Sequence, residues 1–203
     1  MFTKIDSTFS ILFNRYLKNS PIHLIDNDEK QAHADKEAGT LRVNYSKRND
    51  FFLLSHEMAH LVEIEEHRLF MDNFGLKDDQ GWTKKLTKLG PSVREMRVFS
   101  FQINLCERLG INKEQIESLK RSIPGAISSG LFSDHNFIPG NNHFEKKRWV
   151  EDTFNECLKI YSFEEFEARW ETRMKKLWNI FNEAQAKKNP PHSSPVENMA
   201  LAA

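Results

Sequence analysis

The chain has no net charge and no long apolar run. Lysine plus arginine number 29, as do aspartate plus glutamate, so the formal net charge is zero. This balance gives no electrostatic reason to expect a nucleic acid or an anionic membrane as a partner. No apolar segment approaches the roughly 20 residues that a membrane-spanning helix needs. Residues 1–13 lack the basic segment, long apolar segment and cleavage site of a signal peptide.

Cysteine is also scarce, since the chain contains only Cys106 and Cys157. Two cysteines do not make a disulfide framework. Each lies at helical spacing among apolar residues, so we expect two buried thiols. A reducing compartment, the cytoplasm, is the location that this cysteine usage favours.

What the chain does have is 39% hydrophobic and 11% aromatic residues, enough for a substantial core. Residues 40–45 alternate apolar and polar side chains, which predicts a half-buried strand. Residues 122–143 are rich in Gly, Pro, Ser and Asn and are predicted to be a loop. Apolar residues at helical spacing predict six helices, over about 2–18, 50–73, 91–109, 112–121, 144–160 and 163–186.

We therefore expect an α+β fold that is mostly helical, with a small sheet. Residues 1–109 are predicted to form the core, and residues 110–186 a helical extension packed on it. Residues 187–203, which include NPPHSSP and show no periodicity, are predicted to be a flexible tail.

The stretch 51–67, FFLLSHEMAHLVEIEEH, carries the chemistry. His56, Glu57 and His60 form an HExxH motif, and positions i and i+4 of a helix lie on the same face. Two imidazoles so placed can bind one zinc ion at about 2.0–2.1 Å, with Glu57 as general base toward a water that the metal activates. The alternative is two core histidines on a structural helix. Unpaired buried polar groups cost several kcal/mol, so the zinc site is favoured.

A catalytic zinc site needs a third protein ligand. His67 stands about 16 Å along the helix from His56, too far to share an ion, and Glu63 is expected to begin a solvated half of the helix. Glu95 is the best candidate because its helical face borders the core stripe. The alternative is a capping box in which Glu95 turns back toward Ser92.

Arg94 and Arg97 flank this glutamate in the sequence. They are candidate outer partners of the site, although each is more often simply a surface charge.

The segment LRVNYSKRNDFFLLSHEMAHL, followed by Arg94-Glu95 and Val98-Phe99, resembles the ImmA/IrrE-like metallopeptidases over about residues 20–105. The resemblance implies a zincin-like core with a small sheet next to the HExxH helix. It also implies a gluzincin site, with His56, His60 and Glu95 as zinc ligands and Glu57 as base. The chain departs from the family's usual pattern at Ala59, where a glycine is usual, and at INLCERLG, where a Leu-Met-Pro signature is usual.

Substrate contacts are less specified. The strand that carries Val43 and Tyr45 could pair with an extended peptide by strand addition, or it could be an ordinary hairpin strand. An oxyanion donor is expected from His135, His143, Tyr45 or Tyr161, and the sequence does not choose among them.

The chain ends ENMALAA, which resembles the end of the bacterial SsrA degradation tag, with Met199 where the tag has Tyr. The resemblance implies engagement by ClpX and turnover by ClpXP in a bacterial or phage-infected cell. Coincidence and an added terminal sequence are the alternatives.

These observations together predict a soluble, zinc-dependent endopeptidase acting on a protein or peptide substrate. The alternative is a non-catalytic binding or inhibitory protein on a zincin-like scaffold. A nucleic-acid-binding regulator has little support, because no basic face with interleaved aromatic residues is present.

Overall fold

A computed structural model describes residues 10–25, 33–35, 40–44, 50–63, 77–78, 81–82, 91–111, 113–129 and 138–188. Helix α1 spans residues 10–17, and its second part, Phe13–Leu17, is π-helical. The other helices are α2 (Asp50–Glu63), α3 (Pro91–Arg108), α4 (Lys113–Ser128), α5 (His143–Ile160) and α6 (Phe163–Lys188).

Local sequence explains where several helices begin and end. Gly110, with φ of 72°, follows α3, and the amides of Gly110 and Ile111 donate to the carbonyls of Glu107 and Cys106. This is a Schellman ending, in which the left-handed residue lets the orphan carbonyls be satisfied. The Ser162 hydroxyl accepts from the Glu165 amide at 3.2 Å, as the serine of a capping box does at the start of a helix.

Helix α3 is the centre of the fold, because it packs against α2, α4, α5 and α6. The buried side chains of these helices form one continuous apolar cluster. Its largest fully buried members are Phe101, Phe154, Phe166, Leu12, Leu54, Met58, Leu61 and Met96. Residues of the predicted core, 1–109, and of the predicted helical extension, 110–186, both contribute to this cluster. The predicted division of the chain at residue 109 stays a prediction.

The expected α+β core is wrong, because the core of the described residues is built from six helices. Short strands do occur: β1 (Ile22–Ile25), β2 (His33–Asp35), β3 (Thr40–Asn44), β4 (Lys77–Asp78) and β5 (Gly81–Trp82). β3 pairs with β1 in parallel and with β2 antiparallel, whereas β4 pairs with β5. Among the side chains described, the strands give only Ile22 to the buried cluster.

The zincin-like arrangement fails for a packing reason. The HExxH helix α2 packs against α3 and α6, so helices cover the apolar surface that a sheet was expected to cover. β3 packs on α6 besides its two neighbouring strands. A small sheet next to the HExxH helix is therefore not the framework of the site.

Helix α4 is longer than the sequence suggested. The loop predicted over 122–143 is wrong over 122–128, where Pro124 and Gly125 lie inside the helix. Ile123 and Ile127 are buried there, and this apolar burial outweighs the hydrogen bond that a proline removes from a helix. Parts of four predicted segments lie outside the described residues. They are residues 2–9 and 64–73 of two predicted helices, residues 130–137 of the predicted loop and residues 189–203 of the predicted tail.

Two further expectations have clear outcomes. Cys106 and Cys157 are both free and buried, so the prediction of buried thiols is confirmed. Within the described ranges, no helix combines the length and the apolar character needed to traverse a bilayer.

Candidate metal centre

Helices α2 and α3 bring His56, His60 and Glu95 together. The two histidines project from consecutive turns of α2, and their ring centroids are 4.7 Å apart. Glu95 comes from the first turns of α3, the helix packed against α2. One ligand atom from each of the three residues lies within 4.8 Å of the other two. This is the set that the sequence nominated as metal ligands.

The distances in this cluster suit a metal ion better than hydrogen bonds. His56 Nε2 lies 3.5 Å from Glu95 Oε2, and His60 Nε2 lies 3.6 Å from Glu95 Oε1. A charge-assisted N–H···O bond would be about 2.7–2.9 Å long. Two donors at about 2.0–2.1 Å from one tetrahedral zinc ion would be about 3.3 Å apart. Both imidazole–carboxylate distances are therefore close to those expected around a small divalent cation.

Glu95 gives independent evidence for a binding partner at the cluster. The residue is buried, and its Oε2 atom is a buried polar atom with no hydrogen-bond partner. Burial alone would raise the pKa of this carboxyl, but His60, His56 and Arg94 together lower it below its usual value. An ionised, buried oxygen without a hydrogen bond is costly, and a bound cation would remove that cost.

The pKa values of the two imidazoles are shifted in opposite directions. Burial lowers the pKa of His60 from 6.5 to about 4, although Glu95 acts in the opposite direction. Burial also disfavours the charged form of His56, but Glu95 and Glu57 outweigh it and the pKa is raised. Metal ligation requires neutral imidazole. The lowered pKa keeps His60 neutral at physiological pH, whereas the raised pKa of His56 works against the neutral form that ligation needs.

Glu57 lies beside the cluster on α2 and is partly buried. Burial raises its pKa to about 7; the nearby His56 lowers it and Glu95 raises it further. A carboxyl with a pKa near neutrality can both accept and return a proton at physiological pH, which is what general acid–base chemistry requires.

Gln102 is a site residue that sequence reasoning missed. Its Oε1 atom lies 3.3 Å from Nδ1 of His56, and its Nε2 donates to the Phe52 carbonyl at 2.6 Å and to Ser55 Oγ at 3.1 Å. Gln102 is seven residues after Glu95, two helical turns along the same face of α3. That spacing was the available signal.

The prediction that Glu63 begins a solvated stretch is wrong. Its carboxylate is buried and accepts from Arg94 Nε at 3.1 Å and Arg94 Nη2 at 2.8 Å. Arg97 Nη1 also donates to Glu63, at 3.4 Å. Arg94 and Arg97, which were candidate partners of the metal site, thus donate hydrogen bonds to Glu63. These bonds link the end of α2 to the beginning of α3.

The remaining predicted residues are not gathered at the cluster in the described structure. Val43 lies on β3, and Tyr45 and His135 lie outside the described residues. His143 is exposed at the start of α5. Tyr161 is buried after the end of α5, with its ring against Phe101 and under Arg97. The roles of these residues in substrate binding or oxyanion stabilisation stay predictions.

None of the protein-family models, curated proteins or solved structures compared with the chain matches it. The resemblance to the ImmA/IrrE-like metallopeptidases therefore stays a prediction.

Proposed function

We propose that this protein is a zinc-dependent metallopeptidase that hydrolyses a peptide bond of a protein or peptide substrate. The observation that carries the proposal is the convergence of His56, His60 and Glu95, with donor atoms within 4.8 Å and one carboxylate oxygen left without a hydrogen bond. Two histidine nitrogens and one carboxylate oxygen are one of the ligand sets of catalytic zinc sites, which keep a fourth position open.

The chain's own residues divide the work. His56, His60 and Glu95 would hold the ion. Apolar side chains around them would limit access of solvent; the ring centroid of Phe99, for example, lies 4.6 Å from that of His56. When bound, zinc would polarise the scissile carbonyl and make water more acidic. Three ligands on two packed helices give the rigid support that such a site needs.

Glu57 is the residue that moves the proton. Its carboxylate would accept a proton from the attacking water and later deliver it to the nitrogen of the departing amine. The pKa of about 7 belongs to the metal-free protein, and a nearby cation would lower it toward the ionised, basic form. The base would therefore be in the correct form at neutral pH.

The test is Glu57→Gln, because the amide keeps the size of the side chain and cannot accept the proton. The zinc-loaded protein and the variant are incubated with a peptide library, and cleavage is read by mass spectrometry. Loss of a general base should lower the rate by about 100-fold or more, while zinc content stays that of the unmodified chain. Glu156→Gln, which removes an exposed carboxylate on α5, is the matched control and should change nothing.

Two outcomes would count against this function. Undiminished cleavage by Glu57→Gln would refute the role of Glu57. Zinc-loaded protein that binds peptides from the library without cleaving any would favour the alternative, a binding or inhibitory protein whose metal is structural.

The compartment is part of the same proposal. We place the protein in a reducing compartment, the cytoplasm, because both of its cysteines are free and buried.

A further inference from the structure

We infer that Gln102 is a positioning residue that holds His56 in the tautomer with the proton on Nδ1 and the lone pair of Nε2 facing Glu95. This inference rests on the proposed metal site and deepens it. It assigns to a buried side chain of α3 the task of turning one imidazole of α2 into a metal ligand.

The Gln102 amide has one orientation that its neighbours allow. One end of that amide lies 2.6 Å from the carbonyl oxygen of Phe52, which can only accept a hydrogen bond. The nitrogen must therefore be the atom at that end, since a flipped amide would set two oxygens against each other. Ser55 Oγ, which donates to the same carbonyl, accepts the second Gln102 hydrogen at 3.1 Å.

The oxygen end of the Gln102 amide sets the tautomer of His56. With its nitrogen committed, Gln102 presents Oε1 to Nδ1 of His56 at 3.3 Å. An amide oxygen has no hydrogen to give, so Nδ1 must donate. In a neutral imidazole a proton on Nδ1 leaves the lone pair on Nε2.

The other ring nitrogen of His56, Nε2, faces Glu95. Its neighbour at 3.5 Å is Oε2 of Glu95, the buried oxygen without a hydrogen bond. In the neutral ring both Nε2 and Oε2 present lone pairs to each other, and a divalent metal ion between them would satisfy both. Gln102 thus makes the pair receptive to a metal, whereas the opposite tautomer would let Nε2–H bind Glu95 directly and close the site.

The surroundings keep this arrangement in place. Gln102 is only 2% exposed, so water does not compete for its amide. Ser55 is fully buried and also lies 3.8 Å from Cys106 Sγ, so the acceptor of the second amide hydrogen is itself held by α3. The connected groups run from α3 through α2 and end on the imidazole.

The experiment compares Gln102→Leu with Asn104→Leu. Asn104 lies on the same helix and donates from its amide to the carbonyls of Leu158 and Tyr161, away from the histidines. Both variants lose an amide between helices, so general loosening of the fold should affect both. Zinc affinity is measured by competition with a chromogenic chelator. We expect Gln102→Leu to lose about 10–100-fold in affinity and Asn104→Leu to stay close to the unmodified chain.

A third variant, Gln102→Glu, retains an oxygen for Nδ1–H and should keep most of the zinc affinity that Gln102→Leu loses. A purely structural role in linking the helices would not show this rescue, because an ionised glutamate cannot donate to the Phe52 carbonyl. Equal zinc affinities for Gln102→Leu and Asn104→Leu would overturn the inference.

Nitrogen-15 NMR of the histidine rings gives a second readout that needs no metal and no variant. In metal-free protein at alkaline pH, where the rings are neutral, the His56 signals should show the proton on Nδ1. A proton on Nε2 would overturn the inference even if zinc binds. A chain that binds no zinc would refute the proposed function, and in that case the nitrogen spectrum alone decides whether Gln102 sets the tautomer.

Discussion

The buried ion pair between α2 and α3 allows a sharp test of how the site is held together. Arg94 donates two hydrogen bonds to one oxygen of Glu63, and the two side chains are only 7% and 4% exposed. Arg94→Leu would leave the carboxylate of Glu63 buried. Breaking a buried pair by removing one partner typically costs about 3–5 kcal/mol. Arg97 remains at 3.4 Å, so we expect the lower end, about 3 kcal/mol.

The double replacement Glu63→Leu with Arg94→Leu should recover most of that loss. It removes both charges from the interior, and well-packed apolar replacements of buried pairs are often neutral or stabilising by about 1–4 kcal/mol. The control is the exposed pair Lys159–Glu156, which is equally close at 2.7 Å but whose side chains are 71% and 64% exposed. Lys159→Gln should cost less than about 1 kcal/mol, because water screens an exposed pair.

The assay is urea unfolding of the metal-free protein, so that zinc affinity does not enter the comparison. The free energy of unfolding is obtained by linear extrapolation, with the slope checked for constancy among the variants. A loss below about 1 kcal/mol for Arg94→Leu, equal to that expected of an exposed pair, would refute the reasoning. So would a double variant that is no more stable than the single one.

Two further outcomes are expected. In metal-free protein, histidine NMR titration should give His60 a pKa near 4 and His56 one above 6.5. As pH falls, His60 is protonated in the unfolded chain before it is protonated in the folded one, so its contribution to stability should fall between about pH 6.5 and about pH 4. Titration of His60 near 6.5 would contradict its burial. Gly140→Ala should lose about 1–3 kcal/mol in urea unfolding, because φ is 132° and a Cβ would lie 2.8 Å from the Lys146 nitrogen; an unchanged midpoint would show that the turn adapts.

The features that the sequence predicted best depend on local geometry. An i, i+4 spacing places His56 and His60 on one face of a helix whatever surrounds it. Glu95 was nominated in a similar way, from its position beside an apolar stripe. The helix ends at Gly110 and Ser162 likewise follow from conformational and hydrogen-bonding preferences of single residues.

The features that it missed depend on contacts between segments that are distant along the chain. Glu63 sits in a charged run that looks solvated, and its burial depends on Arg94, 31 residues later. Nothing next to Gln102 in the sequence indicates its role, because its contacts are with residues of α2 and form only when α3 packs on α2. The sheet was expected from the alternation over residues 40–45 and from a family resemblance. Neither shows what packs on α2, whose neighbours are helices.

The most direct test of the central claim is the zinc content of the purified protein, measured by elemental analysis after reconstitution and removal of loosely bound metal. The unmodified chain should hold about one zinc ion, whereas His60→Ala and Glu95→Ala should hold almost none. His143→Ala, which changes an exposed histidine at the start of α5, should still hold about one. Zinc-free unmodified protein, or equal zinc in His60→Ala and His143→Ala, would contradict the account.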